Sequence, residues 1–277
     1  MVNKRVRKKV GLALSGGAAR GLAHVGVLDV LQQEGIPIDM IAGTSSGAVM
    51  GAVYASGQNT HKMVEDALEA GLKKLAPFID PALPRTGFLK GKKITDLLSG
   101  YLGGNIKFTD LKIPFACVTT DIDTGEEVVI DSGLVLDALR ATISIPGIFT
   151  VVEREGRYLV DGGLTTPVPV NVVKRMGADF IIAVNVNADV SQRMGKSGQK
   201  RLKAHKEPNL VQVLMQSFYI TTYSLARRSL KEADIVIEPV MPHIGTGDFS
   251  KAEEMIARGQ QAAREALPEI KRKLGEL

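Results

Sequence analysis

Along this chain, short apolar runs alternate with longer stretches in which apolar residues return every third or fourth position. The runs at 9–14, 38–42, 114–120, 126–130, 157–160, 179–186 and 235–237 predict strands, since they are short and bounded by turn residues. Helical spacing predicts helices over 18–33, 46–55, 60–75, 91–102, 134–142, 210–231 and 251–274. The segment 46–55 is built of small residues and is suited to packing closely on a sheet. Alternation of this kind predicts an α/β fold: a three-layer α/β/α domain around a mostly parallel central sheet. No internal repeat interrupts it, so a single domain over 1–277 is expected. Its motifs fall in about 8–190, a flexible loop spans 191–206, and a helical part runs over 208–277.

Composition narrows this picture. With 44% hydrophobic and 23% charged residues, the chain of 277 is an ordinary globular one, long enough to bury a sizeable core. No run reaches the roughly 18 apolar residues of a membrane span. The basic start does not read as a signal peptide, because the apolar run after it is short and breaks at Ser15-Gly16-Gly17. The one cysteine, Cys117, excludes an intrachain disulfide framework; it reads as a small core residue in a reducing compartment, and a cytoplasmic location is expected.

Charge is unevenly spread. Lys4, Arg5, Arg7, Lys8 and Lys9 crowd the start, and Arg193, Lys196, Lys200, Arg201, Lys203 and Lys206 fall in 191–206, neither segment holding an acid. Together they carry +11 against a chain total of +5, so the remainder stands at −6. Two readings are open: solvated flexible ends, or peripheral contact with an anionic membrane surface. Nucleic acid is not expected as a partner, because no aromatic residues interleave the basic ones and the chain has no Trp.

The candidate chemistry begins at Gly43-Thr44-Ser45-Ser46-Gly47, a G-x-S-x-G motif between a predicted strand and a predicted helix. Small residues there let the chain reverse sharply and present the Ser45 hydroxyl at the strand's end, beside the free N–H groups of the new helix. Between the first strand and its helix lies a second glycine-rich turn, Ser15 to Gly21. Its backbone N–H groups, at Gly16, Gly17 and Ala18, could form an oxyanion hole or cradle a phosphate. Phosphate-loop and dinucleotide fingerprints are absent. Arg20 is either a helix-surface charge or a positive group beside this turn.

Two kinds of base could activate Ser45. Among the histidines His24, His61, His205 and His243, the last, near the final strand, is the strongest candidate in the order of an α/β-hydrolase; His24 reads as packing within its helix. Asp161, ending a strand before Gly162-Gly163, could instead take the proton directly in a two-residue dyad. An unperturbed Asp, with a pKa of about 3.9, is a weak base, so burial and strong oxyanion stabilisation would be needed. Asp121 and Asp123 read as turn residues. The acids, the lone Cys and the scattered His lack metal-ligand spacing, so neither metal nor cofactor is expected.

At these three elements together the chain resembles the patatin-like phospholipase family. Gly16-Gly17-Ala18-Ala19-Arg20-Gly21 is similar to its glycine-rich oxyanion motif, Gly43–Gly47 to its nucleophile elbow, and Asp161-Gly162-Gly163 to its D-G-[GA] motif. Residues 138–147 and 166–170 also follow the family's pattern. Ala18 departs from it, standing where the family often has a third glycine. The resemblance implies a Ser45–Asp161 dyad and hydrolysis of fatty-acyl ester bonds in phospholipids or lysophospholipids. The alternatives are a His-dependent esterase for soluble esters and a non-catalytic module that binds anions or nucleotides.

Overall fold

The computed structural model describes residues 7–72, 80–81, 86–187 and 209–275. His205 and the basic segment 191–206 lie outside them. The sheet sets its first strand inside, between the strand that follows it and strands from late in the chain. Strand β1 (Val10–Leu14) pairs in parallel with β2 (Met40–Thr44) on one side and with the late strand at Phe180–Val184 on the other, which in turn pairs with Ile235–Ile237. On its far side β2 pairs in parallel with β4 (Phe115–Asp121), beyond which β5 (Glu127–Ile130), β7 (Val152–Arg154) and β8 (Arg157–Asp161) join antiparallel. The fold is therefore α/β with a sheet parallel through five strands and antiparallel at one edge.

Both faces of that sheet are covered, and the period of two along each strand assigns the side chains. Leu12, Ile41, Cys117 and Ile182 point into the larger core, under α1 (Ala23–Gln33), α2 (Ser46–Ala55), α5 (Val135–Thr142) and the terminal helix α8 (Ala252–Leu274). Ala13, Ala42, Ala116 and Ala183 point the other way, toward α6 (Val170–Arg175) and α7 (Leu210–Ser229). Alanines on that face let the short helix α6 sit close: a methyl group on Gly11 would collide with Val173. Cys117 is wholly buried, and burial pushes its thiol pKa upward, away from reactivity.

Several elements differ from expectation. The helix expected over 18–33 opens with a 3-10 turn, Ala18–Leu22, because Ala18 is held at φ 50, outside the helical region. Of the helix expected over 60–75, α3 (Thr60–Leu72) is present, and 73–75 lie outside the described residues. A two-stranded parallel ribbon of β3 (Gly87–Leu89) and β6 (Gly147–Phe149) was not foreseen, since three residues carry no readable period. It stands beside α4 (Lys92–Leu102) and forms an outer wall of the pocket described below. The basic start is partly structural: Arg7 donates to Asp39 at 2.6 Å, and Lys8 to the Lys273 carbonyl at 3.1 Å.

Candidate active site

Ser45 sits where β2 turns into α2, at φ 51 and ψ −124, a strained backbone for a residue with a side chain. Strain of this kind, of order 1–3 kcal/mol, persists only when the surroundings hold it. Here the Ser45 N–H donates to Thr142 Oγ1 at 2.9 Å, and that hydroxyl donates onward to the Val118 carbonyl. The turn also needs its glycines. A methyl on Gly43 would strike the backbone of Ala48, and one on Gly47 the carbonyls of Leu14 and Ser15. As a result the first turn of α2 begins immediately beneath Ser45, so its N–H groups favour negative charge there.

The glycine-rich turn packs against this elbow, with Gly16 facing the Ser45 Cβ and Gly21 lying against Ser46. Of the three expected donors, Gly16 is spoken for: its N–H donates to the Pro167 carbonyl at 3.1 Å. That leaves Gly17 and Ala18 as the loop's available N–H groups. The turn is braced from behind. His24, wholly buried, shares a 2.8 Å hydrogen bond between Nε2 and the Ser15 carbonyl, and the Ser15 hydroxyl donates to the Gly16 carbonyl while accepting from the Val186 N–H. Burial lowers the His24 pKa to about 4, so at neutral pH its ring is uncharged and Nε2 is the donor. Arg20 is buried rather than a surface charge; its Nε donates to the Ile244 carbonyl at 2.8 Å, and one terminal nitrogen has no partner.

Asp161 ends β8, and it is 1% exposed. Its Oδ1 accepts from the Gly163 N–H at 2.8 Å, and Gly162 presses on the Val118 carbonyl, where a side chain would not fit. Oδ2 has no well-aligned hydrogen bond. Burial raises the carboxyl pKa to about 6, opposed by the nearby Ser45 hydroxyl and by the Gly163 N–H. Ser45, Asp161, Gly16, Gly17, Ala18 and Gly163 all border one small cleft of about 20 Å³. Ser45 also borders a much larger pocket of about 440 Å³, whose lining is almost wholly apolar. Val49, Met50 and Val53 on one face of α2 form its floor, with Met63 of α3 and Leu98 of α4 opposite.

His243 is not part of this arrangement. It is half exposed and its Nε2 pairs with Glu254 Oε1 at 2.7 Å, on the loop before α8, which removes the strongest histidine candidate. His61 is exposed beside Glu65. Asp121 caps its own turn, accepting from the Asp123 N–H at 3.0 Å. Among the described residues no cluster of three or more His, Cys, Asp or Glu could hold a metal ion, and no helix is long and apolar enough to cross a membrane.

A family model described as patatin-like phospholipase matches residues 12–174. The chain belongs to the patatin-like phospholipase family. That stretch holds the glycine-rich turn, the Ser45 elbow and Asp161. An uncharacterized NTE family protein of Mycobacterium tuberculosis is 31% identical over 276 residues, covering 94% of this chain and 46% of that protein. The lysophospholipase NTE1 of Chaetomium globosum is 29% identical over 290 residues, covering 98% of this chain and 19% of that one. The chain thus spans less than half the length of these curated relatives. Among solved structures, the type III effector protein ExoU superposes with a TM-score of 0.50 at 13% identity, covering 96% of this chain and 54% of that chain, a likeness of fold.

Sequence reasoning missed several groups at the site. Thr142 and Pro167 lie in segments whose pattern was visible but whose contacts were not. Asn187, and Phe218, Tyr219 and Thr222 of α7, border the cleft beside Asp161, and no motif marks that helix.

Proposed function

We propose that this protein is a serine acyl hydrolase that cleaves fatty-acyl esters of phospholipids or lysophospholipids. One observation carries the reading: Ser45 and a buried, proton-hungry Asp161 share a cleft, and an apolar pocket opens at the same serine. In the reaction, Ser45 Oγ attacks the ester carbonyl and its proton passes to Asp161. Negative charge developing on the carbonyl oxygen meets the N–H groups of Gly17 and Ala18 and the first turn of α2. Each such donor is worth about 3 kcal/mol in the transition state. Asp161 returns the proton to the leaving alcohol, then activates a water that releases the fatty acid. A carboxylate with pKa about 6 suits both tasks near neutral pH, being mostly ionised yet far more basic than an exposed Asp.

The acyl chain occupies the apolar pocket, which favours a long-chain ester over a small soluble one. The remaining basic residues of 191–206 are read as holding the enzyme at an anionic membrane surface from the cytoplasmic side. The test is fluorophosphonate labelling with mass mapping, alongside release of fatty acid from lysophosphatidylcholine and phosphatidylcholine. Label on Ser45, lost in Ser45→Ala, together with turnover lost in Asp161→Asn, is expected. Undiminished turnover in Ser45→Ala would sink the proposal.

A further inference from the structure

The large pocket is not apolar throughout. Residues 45, 46, 49, 50 and 53 line it from one face of α2, so it runs along that helix away from Ser45. Just past the end of α2 it meets two polar side chains, Gln58 and Asp66. Gln58 Nε2 donates to Asp66 Oδ2 at 2.8 Å, and Asp66 Oδ1 accepts from Lys62 at 2.7 Å. The remaining amide oxygen, Gln58 Oε1, is buried without a partner. The pocket wall at this pair is polar, and a methylene packed against it satisfies neither the unpartnered amide oxygen nor the carboxylate, so burial there gains less than on the aliphatic lining.

Resting on the acyl-hydrolase reading, we propose that the Gln58–Asp66 pair is a chain-length ruler that ends the acyl subsite. With a rise of about 1.5 Å per residue, the ten residues of α2 set the polar end roughly 15 Å from Ser45. A zigzag chain of roughly 1.5 Å carbon–carbon bonds advances about 1.3 Å per carbon, so about twelve carbons fill that length. The preferred acyl group is therefore close to lauroyl; further methylenes gain nothing from burial.

The product acids test this without requiring turnover. Affinities of the intact protein for octanoate, decanoate, laurate, myristate, palmitate and stearate are measured by displacement of a fluorescent fatty-acid probe. In wild type, affinity rises about fourfold per methylene up to laurate and then levels off. In the double variant Gln58→Ala/Asp66→Ala the break moves to myristate or beyond, raising the myristate-to-laurate affinity ratio about sixteenfold, about fourfold for each of two methylenes. Val53→Phe, which narrows the pocket about 12 Å from Ser45, moves the break toward decanoate. A ladder that climbs unbroken to stearate, a break unmoved in both variants, or no binding of any acid overturns the ruler. Absence of fluorophosphonate label on Ser45 with the ladder intact would instead overturn the catalytic reading alone.

Discussion

Replacing Asp161 by Asn removes a charge that the fold holds at a loss. Burial raises the carboxyl from its usual 3.8 to about 6 in the native chain, so the folded state binds this proton more tightly than the unfolded one. Stability from that preference is complete below about pH 4 and is lost as pH rises through about 6. A pKa gap of about 2.2, at roughly 1.36 kcal/mol per unit, makes the ionised aspartate cost about 3 kcal/mol at pH 8. Asn keeps the shape and the Oδ1 acceptor for the Gly163 N–H, and never ionises. Asp161→Asn is therefore expected to be about 3 kcal/mol more stable than wild type near pH 8, while losing turnover. The advantage halves near pH 5 and shrinks to about 0.5 kcal/mol at pH 4. Urea unfolding of the two proteins across this range measures it, and at about 2 °C per kcal/mol thermal unfolding should differ by about 6 °C at the alkaline end. Buried groups elsewhere cancel in the difference. A variant no more stable than wild type at pH 8, or equally favoured at every pH, refutes the reasoning.

Three further outcomes follow from the same geometry. Thr142→Val removes the acceptor for the Ser45 N–H and the donor to the Val118 carbonyl, and should cost about 1–3 kcal/mol in denaturant unfolding and lower kcat more than it alters KM. Ala18→Gly relieves a side chain held at φ 50, and should raise stability by about 1 kcal/mol, read as a higher midpoint in urea. His24 has its pKa lowered to about 4, so it favours folding above about pH 6.5 and that contribution, about 3 kcal/mol, is lost as pH falls from 6.5 through 4. His24→Gln, which keeps a donor for the Ser15 carbonyl without titrating, should flatten the acid limb of the stability curve; an unchanged limb would count against the assignment.

Much of this protein was legible because its signals are local. The alternation of short apolar runs and helical stretches is set by the periods of strand and helix, and it places β1, α1, β2, α2 and the late strands without reference to contacts. The glycines at 43 and 47 around Ser45 likewise record a turn that only small residues can make. Four short elements, β3, β6, β7 and α6, emerged only from packing, since none of them is a continuous β-branched run like Ile235–Ile237 or long enough to show a helical period.

The α/β architecture, the sharp elbow at Ser45 and the glycine-rich turn are readable from neighbouring residues alone, since each is a local property of the chain. Which titratable group lies near Ser45 depends on long-range packing. Parallel pairing of β2 with β4, and antiparallel pairing of β4 with β8, carries Asp161 to the elbow while His243 is drawn off to Glu254. The same packing makes Gly16 spend its N–H on Pro167, buries Asp161 so that its carboxyl pKa rises, and brings α7 to the border of the cleft. Solvation and contact across more than a hundred residues fix these features; the Asp161-Gly162-Gly163 motif marks the residue but encodes neither its burial nor its approach to Ser45.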